Sequence, residues 1–180
     1  MLEADTVNKL YLLLLAVLLI AGCNTHNEAE PAPEQQEMPE QMPGDFDFLV
    51  RYGYGESTKN EINTYQDIVV KDLIMNGTAT ANVTLTGDEM RSIYDQMREI
   101  NIMGTMELVP ARQNCAVTPY QEDSWQITVD GVTRDLSWSG ENCELTEDAE
   151  QLLELRTFIA DIVAGKDAYQ ELPEAEGGYD

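Results

Sequence analysis

The alternation of apolar and polar residues is clearest from Phe46 onward. Phe46, Phe48, Val50, Tyr52 and Tyr54 fall on every second position, which predicts a strand with one buried face. Gly55 to Asn63 is polar and reads as a loop. Tyr65–Ile74 and Thr78–Thr86 read as a second and a third strand, joined at Asn76-Gly77. That dipeptide suits a type I′ turn, which needs positive φ at both central residues. A two-residue turn there places Ile68, Val70 and Ile74 on one face with Ala79, Ala81, Val83 and Leu85.

The period then changes. Thr86-Gly87-Asp88-Glu89 has the form of a capping box, in which side chain and backbone satisfy each other's donors. Met90, Ile93, Tyr94, Met97 and Ile100 follow at helical spacing, and the helix is expected to end near Asn101. Ile102–Asp123 is long and irregular. Ser124–Val129 and Val132–Trp138 form a second expected hairpin through Asp130-Gly131, with Arg134 opposite Ile127. Thr146 caps a second helix carrying Ala149, Leu152, Leu153, Phe158, Ile159, Ile162 and Val163, and Gly165 stops it.

The expected order is β-β-β-α-β-β-α. Strands with one apolar face and helices with one apolar stripe can share a single core. They do so in a two-layer α+β sandwich, here an antiparallel sheet of about five strands with both helices on one face. The domain is expected over residues 46–172, with 173–180 as a flexible tail.

Ahead of the domain the pattern is different. Leu12–Gly22 runs without a charge, too short for a membrane span of about 20 apolar residues, and ends at Cys23. Ile20-Ala21-Gly22-Cys23 resembles the lipobox of bacterial lipoproteins. The resemblance implies that residues 1–22 are a signal peptide, that cleavage precedes Cys23, and that the Cys23 sulfur carries a diacylglyceryl group. Two acyl chains hold a protein on a bilayer stably. Glu3 and Asp5 precede the single Lys9, a departure from the basic start of such peptides. Residues 23–45 hold Pro31, Pro33, Pro39 and Pro43, many glutamates and no Lys or Arg, a composition that predicts a disordered linker.

Charge narrows the partners. The chain has 34 acidic and 10 basic residues, a formal net charge of −24. Nucleic acid and anionic lipid headgroups would repel it. The membrane is therefore expected as a partner only through the lipid anchor, with the domain a monomer on the outer face of the cytoplasmic membrane. Export also permits a disulfide between the remaining cysteines, Cys115 and Cys143, which would pin the long loop.

Candidate chemistry is sparse. The only histidine, His26, lies in the linker, so Ser-His-Asp and Cys-His catalysis and Cys/His zinc sites have no histidine in the domain. Gly53-Tyr54-Gly55 lacks the rest of a phosphate-binding loop. Asp45 with Asp47, or Asp130 with Asp135, could gather oxygens for calcium, without an EF-hand pattern. No cofactor is expected. Tyr52, Tyr54 and Tyr120 are candidates for a recognition surface, while Trp125 and Trp138 on strand faces are expected in the core.

The domain also loosely resembles small exported lipoproteins of unknown function from Bacillus-like bacteria. The features are Arg51–Gly55, Asn60–Tyr65, the cysteine pair and Gly177–Tyr179. No activity comes with that resemblance. The leading expectation is a non-enzymatic binding or accessory module of the cell envelope. The alternatives are an inhibitor or immunity-type module acting through loop 102–123, and an envelope enzyme using carboxylates or calcium.

Overall fold

A computed structural model describes residues 37–55 and 57–179. The expected signal peptide, Cys23 and the first part of the linker lie outside the described residues. The elements are β1 (Asp47–Tyr54), β2 (Ser57–Asn63), β3 (Ile68–Asp72), β4 (Thr78–Asn82), α1 (Gly87–Glu99), β5 (Gln121–Val129), β6 (Val132–Ser139), α2 (Glu147–Ala164) and the short α3 (Asp167–Gln170). The strands form one sheet in the order β4-β3-β2-β1-β5-β6, antiparallel throughout. The fold is α+β, with six strands instead of about five.

The additional strand is β2. Ser57–Asn63 carries one buried aliphatic residue, Ile62, so no alternation marks it. Its place between β1 and β3 comes from backbone pairing on both edges, with Ile62 opposite Val50 on one side and Val69 on the other. Thr64 follows β2, and residues 65–67 of the expected second strand form the turn into β3. The Thr64 Oγ1 bonds the Phe48 N–H and C=O at 2.8 and 3.0 Å and closes the turn.

One face of the sheet is apolar. Phe48, Val50, Ile62, Val69, Trp125, Ile127, Val129 and Trp138 are buried there with Ile93, Tyr94 and Met97 of α1 and Leu152, Leu155, Ile159 and Val163 of α2. Both tryptophans are core residues, as expected. Burying a large side chain of this kind is worth about 1.5–3 kcal/mol, so this layer dominates the stability. The capping box forms: Glu89 N–H donates to Thr86 Oγ1 at 3.4 Å, and Thr86 N–H donates to Glu89 Oε2 at 2.7 Å.

The two hairpins behave differently. Asp130 and Gly131 both have positive φ, 50° and 77°, and pair Val129 with Val132 and Ile127 with Arg134, as the two-residue turn requires. The Asn76-Gly77 expectation fails. Positive φ falls at Ile74 and Gly77, Leu73 N–H donates to Gly77 O at 2.8 Å, and Thr78 pairs with Asp72 instead of Met75. That is an odd shift of register, and an odd shift exchanges the faces. Val69 and Lys71 therefore lie beside Ala79 and Ala81, while Ile68 and Val70 stand opposite Asn82 and Thr80.

The domain limits also move. Met38 is buried, and the Tyr94 hydroxyl donates to Pro39 O at 2.7 Å beside an edge-on contact with Phe46. Asp45 accepts the N–H groups of Asp130 and Gly131 at 3.1 and 2.6 Å. Residues 37–45, expected as linker, are thus packed on the domain, because Met38 and Met42 supply apolar surface that the rest of the stretch lacks. At the other end, residues 173–179 are seated against the β3–β4 connection, not splayed from it.

Candidate functional site

The candidate site lies where β1 ends and β5 begins. Tyr52 and Tyr54 are the last inward and terminal positions of β1, paired with Asp123 and Gln121. Gly55 N–H donates to Tyr120 O at 2.7 Å. The fold therefore brings all three candidate tyrosines to one end of the sheet, but not into one surface. Tyr52 lies under Arg156 of α2, whose guanidinium carbon sits 4.9 Å from its ring centre. Burial pushes the Tyr52 phenol up to about 12. Tyr54 is 40% exposed, and its ring lies 5.4 Å from that of Tyr179. Gln121 Nε2 donates to the Tyr54 hydroxyl at 3.4 Å.

Beneath Tyr52 is a group that the sequence did not single out. Asp123 is 0% exposed. Arg156 Nε donates to its Oδ2 at 3.3 Å, and Arg156 Nη2 donates to Gln121 Oε1 at 3.3 Å. Burial pushes the Asp123 carboxyl up to about 6, against the opposing pull of Arg156 and a weaker one from the Trp138 indole. That indole acts from outside good hydrogen-bond geometry, since Asp123 Oδ1 and Trp138 Nε1 both lack a partner within it. The sequence placed Asp123 at the end of the expected loop 102–123; its inward position appears only because β5 begins at Gln121. Its partner Arg156 is one of several polar residues of α2, and nothing in the sequence sets it apart from the others.

A buried acid near neutrality is a starting point for general acid chemistry. Here it faces an arginine and a tryptophan, and substrate contact requires a cavity. A cavity of about 200 Å³ is lined by Leu108, Val109, Pro110, Glu122, Trp138 and Asn142, and not by Asp123. A larger groove of about 460 Å³ crosses the outer face of the sheet beside Arg51, Ser124, Gln126, Asp135 and Ser137. It holds one carboxylate, Asp135, which accepts from Gln126 at 3.2 Å. Among the described residues no group of three His, Cys, Asp or Glu side chains is arranged to hold a metal ion. Asp45, a calcium candidate, is used as the cap of the Asp130-Gly131 turn.

The loop before β5 is pinned as expected. Cys115 and Cys143 form a disulfide with Cα atoms 5.8 Å apart, and Val117 N–H donates to Glu141 O at 2.9 Å. The loop is shorter than the sequence suggested. Ile102–Gly104 is buried under β6, where Arg134 donates to Gly104 O, and Gln121–Asp123 belongs to β5. What remains at the surface includes Val109, 62% exposed, and Val117.

Comparison with known proteins identifies no relative: no protein family, no curated protein and no solved structure matches this chain.

Proposed function

We propose that this chain is an extracytoplasmic lipoprotein, held at the outer face of the cytoplasmic membrane through lipid on Cys23, whose domain binds and does not catalyse. The observation that carries the reading is the uncharged run Leu12–Gly22 ending at Cys23, behind small residues that suit a signal peptidase. The charge of −24 supports it: an acidic domain is repelled by an anionic bilayer and stays in solvent beyond it. The disulfide suits an oxidising compartment.

For binding, the supporting features are rigidity and exposure. The stretch 105–119 is tied at Cys115 to Cys143 by a covalent bridge and presents Val109 and Val117 to solvent. A preorganised loop loses little entropy on docking, which favours a protein partner of the blocked or accessory kind over a small-molecule substrate. The deciding experiment is Cys23→Ala in an expressing bacterium, followed by membrane fractionation and labelling with a radioactive fatty acid. Loss of label together with release from the membrane fraction is the expected outcome. Unchanged membrane association of an unlabelled protein would overturn the anchor.

A further inference from the structure

Residues 173–178 are exposed along their length and bury no apolar side chain. Two fixed points nevertheless hold the segment, beside an exposed ion pair of Lys71 with Glu174 at 3.7 Å and a bond from Asn76 Nδ2 to Glu176 Oε2 at 3.3 Å. The first is a parallel bridge: Met75 N–H donates to Glu176 O at 3.2 Å, and Glu176 N–H donates to Leu73 O at 3.3 Å. The second is Tyr179, whose hydroxyl donates to Asp72 Oδ2.

The place that receives Tyr179 has the chemistry of a recognition pocket. Asp72 is buried, so its carboxylate needs partners inside the protein. Its Oδ1 accepts the Ile74 N–H at 2.8 Å, and Lys59 Nζ lies 3.8 Å away. Lys59 also reaches the Tyr179 hydroxyl at 3.4 Å and lies 5.6 Å from its ring centre. Tyr54 supplies an aromatic wall. Between the two fixed points, Gly177 has φ +99°, a conformation that an L side chain rarely adopts, so the chain's path from bridge to phenol requires glycine there. The seat thus selects a spacing: one residue that pairs as a strand, a glycine next to it, and a phenol three positions on.

A segment held by two backbone bonds, the Tyr179 phenol and two solvent-exposed side-chain contacts, with residues 173–178 burying no apolar side chain, opens at low free energy compared with the core. Opening leaves the Asp72 carboxylate without its phenol donor and Met75 N–H without its acceptor, while Leu73 O keeps only the Asn76 N–H at 3.3 Å. Those groups would then take the same chemistry from elsewhere. We propose that Tyr54, Lys59, Asp72 and the Leu73–Met75 backbone form a peptide-binding seat for an extended Glu-Gly-Gly-Tyr segment, which residues 176–179 occupy in cis and which a partner polypeptide of that pattern takes when they lift. Acceptance of an added strand through main-chain bonds plus one side-chain pocket is an established mode of peptide recognition. The proposal stands on the geometry of this seat and not on the anchor at Cys23.

The test uses the purified full-length chain and a fluorescently labelled peptide of residues 173–180, followed by polarisation. In the wild type, the tethered segment competes at an effective concentration on the order of millimolar. Tyr179→Ala should therefore bind the peptide at least about tenfold more tightly than wild type. A peptide with Phe in place of its Tyr should lose about tenfold, because the hydroxyl makes a bond to a charged acceptor. Asp72→Asn introduced into the Tyr179→Ala chain should weaken binding similarly. Tyr179→Phe, which keeps the ring, serves if the alanine variant does not fold. No saturable binding up to several millimolar peptide, at a folded variant, overturns the proposal, because the tether itself supplies that range. Equal affinity for the Tyr and Phe peptides overturns it too.

Discussion

Asp123 makes the fold sensitive to pH in a direction opposite to that of most acids. Its carboxyl rises from 3.8 in the unfolded chain to about 6 in the folded one, chiefly because it is buried. The folded state then holds the proton more tightly across that interval. Stability from this group is complete below pH 3.8 and is withdrawn as the pH climbs through 6. A shift of about two units corresponds to about 3 kcal/mol. The groups that face Asp123 are Arg156 from α2, which opposes the shift, Trp138 from β6, and Glu122 beside it in β5, which reinforces it. Asp123→Asn removes the titration while keeping the shape, and leaves Arg156 its contacts with Gln121 and the Tyr52 ring. Urea unfolding of both proteins should be measured from pH 4 to pH 7. The wild type should lose about 2 kcal/mol relative to the variant over that range, most of the full shift. Parallel stability curves would show that burial does not control this carboxyl.

Two other perturbations follow from the structure. Breaking the Cys115–Cys143 bridge by Cys143→Ser frees a loop of 28 residues, which costs about 3.5 kcal/mol in the chain-entropy model. This is an upper value, since the exposed stretch 111–119 also gains freedom in the folded state. The melting temperature should fall by roughly 10 °C, and an unchanged calorimetric midpoint would refute the expectation. Tyr52 should ionise near pH 12 while the fold lasts, later than an ordinary phenol. Because its folded value lies above the unfolded one, its contribution is present below pH 10 and lost as pH passes 12. Spectrophotometric titration of Tyr52→Phe should lack that late step, and a titration identical to wild type would rule out the assignment.

Several features needed no tertiary information. The α1 cap, the Asp130-Gly131 turn and the apolar stripes of α1 and β1 are set by residues a few positions apart. Local sterics and periodicity decide such elements, so they are written along the chain. The disulfide needed only one further step, two cysteines in a chain expected to be exported.

The remainder was decided by contacts between distant segments. Ser57–Asn63 becomes an interior strand because β1 and β3 present backbone donors and acceptors to it, and backbone groups are the same whatever the side chains. The β3–β4 register follows from a longer connection than Asn76-Gly77 would need, with Glu176 pairing at Ile74 from far along the chain. Tyr52, Asp123 and Arg156 meet only when β1, β5 and α2 stack, and Asp72, Lys59 and Tyr179 only when the segment after Pro173 returns to the sheet. Burial is what raises the Asp123 carboxyl and makes the Asp72 seat selective. Since burial is a property of the packed layers, no single stretch of residues carries it.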